Sequence, residues 1–177
     1  GDEVIVPGYT FIASMSSVVY ARAVPILAEV DASLNLDPAD AEARITPRTK
    51  AILAVHMLGN PARLDELKAV ADRHGLMLIE DAAHAHGAEW RGRRAGSLGL
   101  AGSFSFQNSK VMTAGEGGMV VTNDADFAAR LRSLGDQGRR EGGGWFHHYT
   151  LGTNCRMTAW QAGVLLAQLA RLPEQNA

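Results

Sequence analysis

The sequence predicts a three-layer α/β/α domain built on a mainly parallel sheet, and three observations carry that expectation. Short apolar runs recur at Val4–Val6, Pro25–Asp31, Ala51–His56 and Leu76–Ile79. Between them stand segments with helical spacing, such as Leu64 to His74, where charges interleave with Leu64, Leu67 and Val70. Strands that alternate with helices in this way form parallel sheets with helices on both faces. Finally, the 177 residues are 46% hydrophobic and 20% charged, enough for one sizeable core.

Each element has its own local justification. Val4-Ile5-Val6-Pro7 reads as a strand closing at a Pro-Gly turn, and the apolar and small residues from Phe11 to Ala21 suggest a helix. A second strand covers Pro25–Asp31. Asp37 followed by Pro38 makes an N-cap and first-turn pair for a short helix. Ala51–His56 is the third strand, Gly75 ends the helix that begins at Leu64, and the run to Asp81 is the fourth strand. Ala88–Ser97 reads as a hairpin turning near Arg91-Gly92, its arginines a solvated surface. Strands are expected again at Ser103–Phe106 and Met119–Thr122, then an amphipathic helix from Asp124 to Leu134 capped by Asn123 or Asp124. Gly135 to Gly144 is polar and glycine-rich and leads into Trp145-Phe146-His147-His148-Tyr149, the composition of a binding loop or subunit contact. A leucine-rich helix follows Thr158.

The chemistry-bearing stretch is Ser103 to Gly118. Phe104 and Phe106 alternate with Ser103 and Ser105, so a strand here buries its aromatics on one face and presents hydroxyls on the other. Lys110 then falls on a tight connection between two buried elements, where lysines are uncommon. A lysine so placed can act as an amine nucleophile toward a carbonyl, which is Schiff-base chemistry. Asp81 ends an apolar strand, where open α/β sheets bind ligands. Pyridoxal phosphate needs both groups, a lysine for its aldehyde and an acid to keep its pyridine nitrogen protonated. Taken singly, a loop lysine can snorkel to the surface and a strand-ending Asp can be a turn former.

The run Glu80-Asp81-Ala82-Ala83-His84-Ala85-His86-Gly87-Ala88, with Phe104-Ser105-Phe106, Lys110 and Thr113-Ala114-Gly115-Glu116-Gly117-Gly118, resembles the DegT/StrS aminotransferases. These are fold-type-I pyridoxal phosphate enzymes, with the large-domain fold of aspartate aminotransferase, acting on keto sugars and cyclitols in nucleotide-sugar and antibiotic biosynthesis. The resemblance implies that Lys110 holds the cofactor as a Schiff base, Asp81 pairs with the pyridinium and Ser105 holds the phosphate. His84 stands near the ring hydroxyl, where the family more often has Gln. Phe11 is either core or the aromatic that stacks on the cofactor ring. Asn154 is implied to reach across a dimer interface to the neighbour's cofactor phosphate, giving a homodimer with two shared sites, and Arg156 is a substrate-side candidate. Glutamate or glutamine is the implied amino donor. By the same resemblance, residues 1–177 correspond to a partial cofactor-binding large domain, with an upstream segment and a small carboxyl-terminal domain outside it.

A neighbouring chemistry stays open. His84 with Phe104–Asn108, Lys110 and Met112-Thr113 is also similar to 3-amino-5-hydroxybenzoate synthases, dehydrating and aromatising members of that family. Two further classes share the expected α/β architecture: a non-catalytic protein of this fold, sensory or structural, and a nucleotide-binding α/β module. Gly115–Gly118 lacks the spacing and the Lys-Ser/Thr ending of a nucleotide phosphate loop. His56, at a strand end, either lines the site or is hydrogen-bonded within the structure.

Other classes are disfavoured. Lys and Arg number 17 against 19 Asp and Glu, a formal net charge of −2, so no basic excess points to nucleic acid. His84 and His86 have no third ligand in a recognisable zinc pattern. The single cysteine, Cys155, cannot make an internal disulfide, so a reducing, cytoplasmic setting is expected. No apolar run is long enough to span a membrane.

Overall fold

The computed structural model describes residues 1–176. A six-stranded sheet forms from β1 (Glu3–Pro7), β2 (Val24–Ala28), β3 (Thr49–Val55), β4 (Met77–Asp81), β7 (Ala101–Ser105) and β8 (Gly118–Val121), in the order β2-β1-β3-β4-β7-β8. The first five strands run parallel and β8 pairs antiparallel with β7. β5 (Glu89–Trp90) and β6 (Arg93–Arg94) form a separate hairpin. Its turn residues Arg91 and Gly92 both take positive φ, 50° and 77°, the backbone that two-residue hairpin turns demand.

The helices lie on both faces. Successive strand residues point to opposite sides. Ile5, Ile52 and Leu78 accordingly pack with Leu64, Leu67 and Val70 of α3 (Leu64–His74) and Ala41 of α2 (Pro38–Ala43). Val6, Leu53 and Ile79 pack the other way, against Met15 and Val18 of α1 (Ile12–Tyr20). The expected three layers are therefore present. α4 (Ala125–Gly135) and α5 (Ala159–Gln175) complete the helices, and α5 packs Leu165 and Leu172 onto Phe106 and Met112. No helix among the described residues is long and apolar enough to cross a membrane.

Caps fall where the sequence placed them. The Asp37 carboxylate accepts from Ala39 N at 3.0 Å, Asp124 from Phe127 N at 2.9 Å, and Gly75 closes α3 in the left-handed conformation. Thr158 and Gln161 add a reciprocal capping box to α5. Strand boundaries shift by one or two residues elsewhere, and most at β2, which stops at Ala28 and not at Asp31. There Glu29 N–H donates at 2.7 Å to the Asp40 carboxylate of α2, which draws the chain out of the sheet.

Candidate active site

Parallel strands bring all their carboxyl ends to one edge, and ligands of such sheets bind there. The ends of β1, β3, β4 and β7 open onto a pocket of about 470 Å³ lined by Phe11, Ser14, Asp81, His84, Ser105 and Lys110 among others. Five of the six residues singled out from the sequence thus converge from three separate stretches of chain. The volume is within the range of small-molecule sites.

The acid is held from two sides. Asp81 shares its strand face with Ile79, the face covered by α1, so one helix side chain can reach it. Ser14 Oγ donates to Asp81 Oδ2 at 2.8 Å, Ala83 N–H donates to Oδ1 at 3.2 Å, and Thr10 Oγ1 lies 2.9 Å from Ser14 Oγ. Each carboxylate oxygen keeps acceptor capacity toward the pocket.

Lys110 sits half-buried in the connection between β7 and β8. Its backbone N–H donates to Gln107 O at 3.0 Å, and its side chain has no ion pair or hydrogen bond among the described residues. The turn that follows is braced from α5. Gln168 donates to Thr113 O and accepts from Thr113 N, at 2.5 and 2.9 Å, and Gln161 donates to Glu116 O at 2.8 Å. Two glutamines seven residues apart share one helix face, and that spacing in a leucine-rich helix was the sequence signal for them.

Phe11 is 71% exposed at the start of α1, which removes the core alternative and leaves an open aromatic face at the pocket. His84 is half-buried. Burial, and then the charge of Lys110, push its pKa below the usual value, with Asp81 opposing. Both influences favour the neutral ring, which can donate or accept a hydrogen bond. Ser105, at the end of β7, accepts from Gln107 N–H at 3.3 Å.

Asn154 is elsewhere. It lies outside the pocket lining, exposed and bridged to Asp136, with Oδ1 accepting from Arg156 N–H at 3.2 Å. Arg156 itself pairs with Asp136. His56 does both: it borders the pocket beside Val55 and Met57, and it is fully buried and hydrogen-bonded, with Nδ1 accepting from Ala62 N–H at 3.1 Å and Nε2 facing Glu80 Oε2 at 3.0 Å.

Ser14 and Glu80 were not identified from the sequence. Ser14 interrupts the buried face that Val18 continues one turn later, and that polar substitution was its signal. Glu80 points to the face opposite Asp81 and ties Gly96, Leu98 and Gly99 to β4.

Behind β7, His86 is 6% exposed between the rings of Phe104 and Phe106, at 5.5 and 5.9 Å. Burial is the largest influence and lowers its pKa; the Ser105 backbone opposes, while Lys110 and His84 add to the lowering. The sign for stability follows. The unfolded chain takes up protons on His84 and His86 below about pH 6.5, before the folded chain does, so stability falls as pH drops through that region. Urea midpoints between about pH 7.5 and about pH 5.5 are expected to show that slope, shallower in His86→Leu. An equal slope in the variant contradicts this assignment.

The residues fit pyridoxal phosphate: a lysine side chain without an ion pair, a carboxylate braced to present its lone pairs, an open aromatic ring and a strand-end hydroxyl share one pocket. The comparisons with known proteins agree in kind. L-glutamine:2-deoxy-scyllo-inosose aminotransferase of Streptoalloteichus tenebrarius is 50% identical over all of this chain and 44% of its own length. GDP-perosamine synthase of Caulobacter vibrioides is 51% identical, over all of this chain and 48% of its own. The crystal structure of 3-amino-5-hydroxybenzoic acid synthase superposes with a TM-score of 0.94 at 46% identity, covering 99% of this chain and 46% of that one. The chain spans less than half the length of each of these proteins. A family model matches residues 1–177 throughout, and the chain belongs to the DegT/DnrJ/EryC1/StrS aminotransferase family.

Proposed function

We propose that the full-length protein is a pyridoxal phosphate-dependent aminotransferase that moves an amino group from glutamine or glutamate to a keto sugar or keto cyclitol. The observation that carries this reading is the meeting of Lys110, Asp81 and Phe11 at the carboxyl edge of the parallel sheet. The names of its relatives supply the substrate class.

When bound, the cofactor supplies an electron sink for the carbon that bears the amine. Lys110 Nζ would hold it through its aldehyde and, once released, take and return the proton at the substrate carbon. The Asp81 carboxylate, oriented by Ser14 and Ala83, would keep the pyridine nitrogen protonated. Ser105 would hydrogen-bond the phosphate, neutral His84 the ring hydroxyl, and Phe11 would cover the ring face. Asn154, turned away from this pocket, would serve the site of a second subunit in a homodimer. The exposed free thiol of Cys155 suits a cytoplasmic setting.

A second reading keeps the cofactor but changes the product. His84 and the likeness to 3-amino-5-hydroxybenzoic acid synthase favour a dehydrating, aromatising reaction. Product analysis separates the two. The full-length protein, given pyridoxal phosphate and L-glutamine with either a keto cyclitol or a nucleotide-linked keto sugar, is expected to convert the carbonyl to an amine by mass. Loss of water with formation of an aromatic product supports the second reading, and failure of both reactions contradicts the proposed function.

A further inference from the structure

The first turn of α1 breaks a local rule. Its N-cap is Phe11, whose side chain makes no capping hydrogen bond, although hydroxyl and short polar side chains are preferred there and Thr10 stands one position earlier. The two hydroxyls of this turn are directed at Asp81. Thr10 Oγ1 lies 2.9 Å from Ser14 Oγ, and Ser14 Oγ donates to Asp81 Oδ2 at 2.8 Å. Folded proteins give up local rules mostly at functional sites.

Counting hydrogens fixes the direction of this chain of contacts. A hydroxyl has one hydrogen and two lone pairs. Ser14 spends its hydrogen on the Asp81 carboxylate, so toward Thr10 it accepts and Thr10 donates. Thr10, half-buried in the pocket lining, makes no other side-chain hydrogen bond among the described residues. Ser14 is only 3% exposed, so bulk water does not replace a partner it loses. Hydrogen bonds in series strengthen one another, and those to a charged acceptor are the strong ones. With Ser14 on Oδ2 and Ala83 N–H on Oδ1, the carboxylate is held against rotation.

We propose that Thr10 is a positioning residue of the cofactor site: by donating to Ser14 it fixes the Ser14 hydroxyl on Asp81, and so fixes the carboxylate that meets the pyridine nitrogen. Phe11 stands between the two hydroxyl residues in the sequence and lines the same pocket. One turn of α1 thus sets both the edge and the face of the bound ring. The role rests on the proposed function, since it takes pyridoxal phosphate as the ligand of this pocket.

Titration of the full-length protein, freed of cofactor, with pyridoxal phosphate tests it, with binding followed by the change in cofactor absorption. Ser14→Ala removes a hydrogen bond to a charged group and is expected to weaken binding about tenfold or more, while Thr10→Val keeps the shape, loses the donor and is expected to weaken it about two- to tenfold. The double variant is expected to match Ser14→Ala alone, because Thr10 acts only through Ser14. Thr10→Ser keeps the hydroxyl and is expected to restore the parental affinity. Ser16→Ala is the control: its hydroxyl donates to Ile12 O at 2.9 Å on the same helix, outside the pocket lining, and its loss is expected to leave binding unchanged. Parental affinity in Thr10→Val, additive losses in the double variant, or no recovery in Thr10→Ser would overturn the proposal. A parent protein that binds no pyridoxal phosphate overturns the proposed function and this inference together, whereas parental binding that Thr10→Val leaves unmoved overturns this inference alone.

Discussion

Lys110→Ala is expected to slow amine transfer by the full-length protein by about 10²- to 10⁴-fold or more, the range for loss of a positioned proton-transfer group, compounded by loss of covalent attachment. The fold should survive. The side chain makes no ion pair or hydrogen bond among the described residues, and the turn is held by the Lys110 backbone N–H and by Gln168, both retained in the variant. Removing the ammonium also has a predicted signature apart from turnover. Lys110 lowers the pKa of His84 and of His86, so both rings should titrate at higher pH in the variant. Imidazole NMR titrations check this, and unchanged histidine titrations would place Lys110 away from the pocket.

The second large effect is on stability. Glu80 is fully buried, and its carboxylate accepts from Gly96 N at 2.6 Å and His56 on Oε2, and from Leu98 N at 2.7 Å and Gly99 N at 2.6 Å on Oε1. Because His56 Nδ1 already accepts from Ala62, its Nε2 carries the proton and donates. Glu80→Ala leaves four donors without an acceptor, two of them buried and two part-buried, and is expected to cost about 3–5 kcal/mol, a large share of the margin of a typical domain. Glu80→Gln is no rescue. Donors approach both oxygens, so either orientation of the amide sets an NH₂ against N–H groups. Urea unfolding of both variants tests this, and a loss below about 1 kcal/mol would contradict it.

Glu80 also sets an acid limb. Burial raises its pKa, but the His56 hydrogen bond and those from Gly99 and Gly96 outweigh it and hold the group below the usual carboxylate value. A lowered folded pKa contributes stability above the unfolded value of about 4.3, lost as pH falls through the folded one. The acid transition of Glu80→Ala should therefore begin from a lower plateau and carry a smaller proton uptake.

What the sequence revealed follows from how local each signal was. Periodicity and caps are properties of a few neighbouring residues, so the strands, α3 and the Asp37, Gly75 and Asp124 termini could be read directly. Lys110 and Asp81 were legible because Asp81 ends an apolar strand and Lys110 falls in the tight connection between two strands, places where a charge has no packing reason to be. Ser14 on Asp81, Gln168 on Thr113 and Glu80 on the 96–99 turn were not. These contacts span 67, 55 and up to 19 residues, and a serine in a helix or a glutamine among leucines has no local feature that names its partner. Phe11 needed the fold as well, since only exposure separates a core aromatic from one left open at a pocket.

The most direct test of the account is the position of the cofactor bond. The full-length protein mixed with pyridoxal phosphate, reduced with borohydride and digested is expected to carry the added cofactor mass on the peptide containing Lys110, and to lose it in Lys110→Ala. A folded protein that gains no adduct, or that carries it on another lysine, would contradict the placement of the active site at the carboxyl edge of this sheet.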